Sequence, residues 1–528
     1  TQEVPVSATV RVVLSSDTEL LDEVIVVAYG TTTKGAFTGS AAVVDSKTIS
    51  KRQVSNVSNA LTGTSAGVQV LNANGQPGTS ATIRIRGVGS INAGTNPLYV
   101  VDGVPFDGDL SSINTADIES MTVLKDASST ALYGARGANG IIMVTTKKGK
   151  QGKAKVSFDA RLGVNSRAVK NYNVMNSPQG YLEKSYEAIY NAGIYGLGYD
   201  AIGANRYAND KIIANTEGGS GYNIYTLPQG QSLIGMNGKL NPYATLGYSD
   251  GQYYYTPDDW AKETFENNTR QEYNLSMTGG NDKSNFYFSL GYLDDQGIVP
   301  GSGFERYSGR FNSDYKIKDW LKVGANVSFN HSDSRYPGEQ TNTSSSGNAF
   351  FIANYIAPIY PIYVRDAETK QVMMNKGRKV YDYGDSKKST NFDRSFMSIS
   401  NPAGDLVYDK TNYMMDILNS TWFAEVRPVE GLVLTARYGL NIDNTRYNSL
   451  GNAYMGQSAD YGGTAYQEQS RDYGFNQQYF ANYHHTINDA HSLDYTLGYD
   501  GYSWSSEYVF ASGQNLYNPE SYYVSNSI

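Results

Sequence analysis

The chain has 528 residues, with 43 Lys+Arg against 51 Asp+Glu and a formal net charge of −8. That length calls for two or more units, and the acidic balance excludes a nucleic-acid wrapper, which needs a basic footprint. There is no cysteine, and four histidines (His331, His484, His485, His491) leave little for a histidine catalyst or a zinc site, while 45 tyrosines and 54 glycines suit a half-wet β-structure rich in turns.

No run of about 18 apolar residues is present, so no transmembrane helix is expected. A membrane barrel remains open, because each of its strands needs only one apolar face. No signal peptide is visible and Thr1 already reads as part of a strand, so the true N-terminus is expected to lie upstream.

Thr1 to Ser16 alternates like a strand through Val4, Val6, Val10 and Val12. Residues 20–30 then form a short segment, acidic at its start and strongly β-prone. From Thr31 to Gly149 the pattern is mixed, and a small α+β domain is expected. Its helices are predicted over Asn56–Leu61, with Ser55 as N-cap, and over Ala127–Tyr133. Its strands are predicted over Ala81–Arg86, Leu98–Val101, Met121–Leu124 and Ile141–Thr146.

From Lys155 the chain changes to sustained period-two alternation. Val156, Phe158, Ala160, Leu162 and Val164 share one face, and Ser157, Asp159, Arg161, Gly163 and Asn165 the other. The same alternation recurs in about nine strands, among them Leu321–Asn330 and Leu432–Asp443. Short turns at Gly280–Lys283, Lys316–Asp319, Pro428–Gly431 and Asn488–His491 alternate with longer links. In an antiparallel meander this puts every short turn on one rim and every long loop on the other, as in outer-membrane barrels. A soluble sandwich would alternate equally well but would not sort its loops by length.

The fold expected is therefore mainly β: a small α+β domain followed by an incomplete antiparallel transmembrane β-barrel. Plugged transporters have about 22 strands, and an open edge in lipid leaves backbone groups unpaired. The remaining strands are expected beyond Ile528.

Two long blocks carry a resemblance. They read TIRIRGVGSINAGTNPLYVVDGVPFDG from Thr82 and SMTVLKDASSTALYGARGANGIIMVTTKKGK from Ser120 to Lys150. They resemble the plug of SusC/RagA-type TonB-dependent outer-membrane transporters. LDEVIVVAYG, ending at Gly30, resembles that family's TonB-box region. YYYTPDDW (Tyr253–Trp260) and FSLGYLDDQGIVPGSGFERYSGRFN look like its barrel. The resemblance implies four units. Residues 1–19 would end a carboxypeptidase-regulatory-like β domain, 20–30 would hold the TonB box, 31–150 would form the plug and 151–528 the first part of the barrel.

It further implies active import of a nutrient, foremost an oligosaccharide, across the Gram-negative outer membrane. The implied partners are TonB, powered by ExbB/ExbD, a SusD-like surface lipoprotein and outer-membrane lipid, with no cofactor. Importers of peptides or siderophores, or a surface adhesin, are the alternatives. Asp22, Glu23, Val24, Ile25, Val26 and Val27 are the expected TonB contact, made by strand addition to a partner sheet. Arg84 and Arg86 alternate with Ile83 and Ile85, so they are expected to anchor the plug to wall carboxylates or to pair within it. Tyr253, Tyr254, Tyr255 and Trp260, in a long outer loop, are expected to contact substrate or the lid.

No enzyme is expected. GxSxG occurs around Ser65 and Ser249, but neither has the strand before and helix after that a nucleophile elbow requires. Gly87-Val88-Gly89 does not continue as a phosphate loop, and Asp107 with Asp109 is too little for calcium.

Overall fold

The computed structural model describes residues 24–27, 30–33 and 40–528, except 73–74, 90–93, 127–129, 171–172, 217, 337–347 and 489–490. The strand expected over Thr1–Ser16 lies outside the described residues, as do Asp22 and Glu23. Val24–Val27 forms a short strand paired antiparallel with Gly30–Thr33, from Val24 opposite Thr33 to Val27 opposite Gly30. This ribbon has no third strand among the described residues.

The plug is built on a five-stranded sheet in the order Ala41–Asp45, Ile118–Leu124, Ile141–Thr146, Leu98–Val101, Val104–Phe106. Only the Leu98–Val101 and Ile141–Thr146 pair is parallel. Ile141, Ile142, Met143 and Val144 are each at most 2% exposed, as suits a central strand covered on both faces. A separate hairpin pairs Val68–Leu71 with Thr82–Ile85.

The first expected helix is a single 3-10 turn, Val57–Leu61. Its cap is Asn56, not Ser55: Asn56 Oδ1 accepts from the Ser58 amide at 2.9 Å. Ser55 Oγ instead accepts from the Gly78 amide at 2.9 Å and ties down the neighbouring loop. The second helix is also of 3-10 type, Ala131–Gly137, kinked where Gly134 adopts a φ of 57°. That left-handed backbone is one that glycine takes without a Cβ penalty.

The second half is one nine-stranded antiparallel meander. Its strands run in order Gly152–Asn165, Asn268–Gly280, Ser284–Gln296, Gly303–Lys318, Leu321–Arg335, Lys410–Val426, Leu432–Gly451, Thr464–Ile487 and His491–Gln514. The links 281–283, 319–320, 427–431 and 488–490 are short and share one rim. The opposite rim carries 166–267, 297–302, 336–409 and 452–463. The link after Gln296 is shorter than its sequence suggested, because the flanking strands extend further in perfect register.

The two faces differ as a membrane barrel requires. Phe311, Phe329, Trp422, Leu434 and Tyr438 are between 39% and 55% exposed on the outer face. Glu272, Arg306, Arg310, Asn312, Asn330 and Gln478 are at most 7% exposed on the inner face. On the outer face Tyr273, Tyr292 and Tyr307 form a row with ring centroids 6.3 and 4.9 Å apart. Tyr438, Tyr479 and Tyr499 form a second outer row, at 6.0 and 6.1 Å. Outward-facing aromatic rows of this kind suit the interfacial girdle of an outer-membrane barrel.

The long links fold into a cap with its own core. Helices Pro178–Asn191 and Ala201–Ile212 pack on each other, each started by a side-chain cap, Ser177 and Asp200. Tyr222, Tyr255 and Tyr360 lie at the centre, with centroids 6.0 and 5.2 Å from Tyr222. The Tyr222 hydroxyl donates to Asp382 at 2.8 Å, so the buried phenol is satisfied.

Candidate functional site between plug and barrel wall

The inner face of the sheet holds the plug through buried polar contacts. Arg306, 2% exposed, donates to the carbonyls of Ser55, Ser111 and Ile113 at 3.2, 2.7 and 3.2 Å. Four residues along the same strand, Arg310 approaches Asp102 at 3.7 Å and Asp117 at 3.5 Å. The hydroxyl of Tyr287 donates to Asp117 at 2.9 Å. Asn312 donates to Thr146 Oγ1 at 3.0 Å and to the Lys147 carbonyl at 2.7 Å. Period two puts all three side chains of this strand on one face, which is why a single strand grips the plug at three heights.

Further contacts spread the attachment across the wall. Asn114 of the plug donates to Asn274 at 2.8 Å and Ser308 at 3.2 Å. Arg437 and Gln478 donate to the Gly103 carbonyl at 3.4 and 3.2 Å. Gln76 donates to the Arg335 carbonyl at 3.0 Å. Asp107 meets Arg136 at 3.3 Å and accepts from the Tyr502 hydroxyl, while the Arg136 guanidinium lies 4.3 Å over the Tyr502 ring. Asp109 caps the turn Leu110–Ser112, accepting from the Ser111 amide at 2.7 Å. Both carboxylates of the Asp107-Gly108-Asp109 run thus have structural partners.

The direction of anchoring differs from the one expected. Among the described residues, neither Arg84 nor Arg86 forms an ion pair or hydrogen bond with the wall. Arg84 lies on the small hairpin opposite Gln69, and Arg86, exposed with a φ of 58°, already leaves the strand. The arginines that bridge plug and wall, Arg306, Arg310 and Arg437, belong to the barrel and reach plug carbonyls and carboxylates. Their sequence signal was their place on the polar face of alternating strands.

The aromatic loop residues are also placed differently. Tyr255 is 1% and Trp260 3% exposed. Trp260 Nε1 donates to the Tyr360 carbonyl at 3.0 Å, and the Tyr255 hydroxyl donates to Asp250 at 2.7 Å. Tyr253 is half-buried and bridged to Asp366, and Tyr254 lies beneath Lys370 at 4.9 Å. These rings build the cap, because a loop of such length needs a core of its own.

Near the long-loop rim the plug and wall leave a cavity of about 640 Å³. Gln53, Asn59 and Gln76 of the plug and Asn165, Arg167 and Asp295 of the wall side line it. This amide-rich lining offers both donors and acceptors. Ser65 follows the 3-10 turn and Ser249 sits in a two-residue strand, so neither forms a nucleophile elbow. Among the described residues no group of three or more His, Asp or Glu side chains could hold a metal ion.

In the cap, the Asp405 carboxyl accepts from the Tyr383 hydroxyl at 2.7 Å and lies on the short helix Pro402–Tyr408, which Asp409 follows as its C-cap. Burial, added to by the Asp409 charge, pushes Asp405 up to about 7.

Residues 33–141 match the model of the TonB-dependent receptor plug domain. The chain is 34% identical over 372 residues to TonB-dependent receptor SusC of Bacteroides thetaiotaomicron, an alignment covering 69% of this chain and 31% of that protein. It is 26% identical over 518 residues to TonB-dependent receptor P26 of Formosa agariphila, covering 96% of this chain and 44% of that one. The structure of the RagAB peptide importer in its open-open state superposes with a TM-score of 0.69 at 26% identity, over 96% of this chain and 52% of the other. The chain thus spans about half or less of the relatives it matches. A plug seated inside an antiparallel barrel wall, together with these likenesses, places the chain with the SusC/RagA-type TonB-dependent receptors, of which it comprises the plug and part of the barrel.

Proposed function

We propose that the receptor containing this chain imports oligosaccharides across the outer membrane, energised by TonB with ExbB/ExbD and working with a SusD-like surface lipoprotein. The carrying observation is the plug held in the lumen by hydrogen bonds and ion pairs from Arg306, Arg310 and Asn312. A passive pore or an adhesin has no use for a lumen closed in this way. The strand Val24–Val27 precedes the plug and has a single neighbouring strand among the described residues, which suits recruitment by a partner sheet. The amide-rich cavity above the plug, which offers donors and acceptors to sugar hydroxyls, supports a sugar substrate. A second reading, import of peptides, rests on the RagAB likeness. Deleting the gene and following growth on single oligosaccharides and on peptide mixtures separates the two. Loss of growth on one glycan alone is expected, and loss on peptides alone would refute the sugar reading.

A further inference from the structure

The two strands that follow Leu432–Gly451 in the sheet run far beyond the apolar band. Thr464–Ile487 and His491–Gln514 are each 24 residues long, where roughly 9–11 residues cross a membrane. Their upper parts rise toward the long-loop rim, and the luminal face of that extension carries an unbroken strip of rings. Tyr336 lies 5.7 Å from Tyr413, Tyr413 lies 4.5 Å from Tyr447, Tyr447 lies 5.7 Å from Tyr466, and Tyr466 lies 6.0 Å from Phe510. The side is fixed by register: Tyr447 shares the parity of Arg437 and Asn441, and Phe510 that of Tyr502, all of which face the plug.

The strip lies above the plug. Gly108 of the plug sits against Asn441, and Tyr447 is six residues further along the strand, about 20 Å at 3.4 Å per residue. The rings are open: Tyr413 is 37% and Phe510 58% exposed. Beside them, Glu468 lies in register between Tyr447 and Phe510 and accepts from the Tyr466 hydroxyl at 2.7 Å. Within that row and the two beneath it, the charged luminal side chains of these four strands are Asp443, Glu468 and Asp472, all carboxylates.

We propose that Tyr413, Tyr447, Tyr466 and Phe510 form a stacking track that takes a linear, uncharged oligosaccharide from the cap toward the plug. This rests on the oligosaccharide reading above and adds the binding residues. One ring per strand, spaced by the strand separation of about 4.8 Å, makes a narrow path suited to an extended chain of sugar rings. Ring faces meet the apolar C–H faces of sugars, while tyrosine hydroxyls and Glu468 meet their hydroxyls. The carboxylates disfavour acidic glycans and the free carboxylates of peptides.

The test is calorimetric titration of the full-length detergent-solubilised receptor with maltoheptaose, cellohexaose and inulin oligomers, and with a cationic heptapeptide for comparison. Tyr447→Leu and Phe510→Leu should each weaken sugar binding about threefold to tenfold, the size of an aromatic stacking contribution. Tyr447→Phe should bind within about twofold of the parent, and Tyr307→Leu, on the lipid side, should be unaltered. Parent-like sugar affinity in the Tyr447→Leu/Phe510→Leu double variant, with the fold intact, overturns the track alone. Failure of the unsubstituted receptor to bind any of the three sugars overturns the oligosaccharide reading and the track with it. Peptide binding lost in the double variant would assign the strip to peptides and overturn the proposal.

Discussion

Replacing Arg310 with methionine keeps an unbranched apolar stem and removes the charge that faces two plug carboxylates. Arg310 is 7% exposed, and the Asp102 and Asp117 side chains are each 4% exposed. Water therefore does little to screen the loss. The hydrogen bond from Tyr287 to Asp117 would remain, as would those from Thr146 to Asp102, whose backbone amide and hydroxyl donate at 2.9 and 2.7 Å. Those contacts leave negative charge buried without the guanidinium that pairs with it directly. A lost neutral hydrogen bond would cost about 1 kcal/mol, whereas stranding a buried charge costs about 3–5 kcal/mol. The seating of the plug should weaken by about that larger amount, a factor of roughly 10² to 4 × 10³ in any opening equilibrium that separates plug from wall. Hydrogen exchange over Leu98–Val101 and Ile118–Leu124, in receptor reconstituted in lipid, reads this opening. Adding Asp102→Asn and Asp117→Asn should recover part of the loss, because the stranded charges are then gone. Unchanged exchange in Arg310→Met would refute the idea that this ion cluster holds the plug.

The orientation of the wall predicts that cysteine at Arg437 is reached by a water-soluble thiol reagent only when the plug loosens, while cysteine at Leu434 or Leu440 reacts with a lipid-soluble one. Heavy aqueous labelling at Leu434 would reverse the assigned faces. An arginine at Leu440 should cost about 2–4 kcal/mol in a bilayer, measured by folding titration into vesicles, and much less in the lumen-facing position Asn441. The cap should loosen as pH rises. A carboxyl raised in the folded state remains protonated there while the unfolded chain ionises, so the stability it contributes is fully present below about pH 4 and declines up to about pH 7. A rise of that size from the ordinary carboxylate value corresponds to at most about 4 kcal/mol. Asp405→Asn should remove most of this dependence, read as protease nicking of 336–409 between pH 5 and 8, and an unchanged pH profile would contradict it.

The sheet was legible because its signal is collective. Nine strands of alternation and a strict order of short and long links leave one topology, and even the face of Arg437 followed from period two. Partners across the lumen were not legible. Arg306 and Arg310 stood on a polar face in the sequence, but nothing there shows that Ser111 and Asp117, almost two hundred residues earlier, lie opposite them. Arg84 and Arg86 drew attention because they alternate in a plug strand, yet that strand belongs to a two-stranded hairpin whose end at Ile85 turns Arg86 away. Tyr255 and Trp260 misled for a related reason. Aromatic residues in a long link read as a binding surface, but a link of this length folds around its own rings. The luminal strip was hidden because Tyr413, Tyr447, Tyr466 and Phe510 lie on four strands and become neighbours only through register.

Energised import is tested most directly at Ile25. Proline there removes a backbone donor from the strand Val24–Val27 and restricts Val24, so pairing with a partner sheet should fail while plug and barrel fold as before. Uptake of a labelled oligosaccharide is measured in cells carrying Ile25→Pro, with Val26→Ile as the mild control and surface expression followed in parallel. Uptake abolished by Ile25→Pro and kept by Val26→Ile, at equal surface levels, is the expected result. Normal uptake by a well-expressed Ile25→Pro receptor would contradict coupling through this strand.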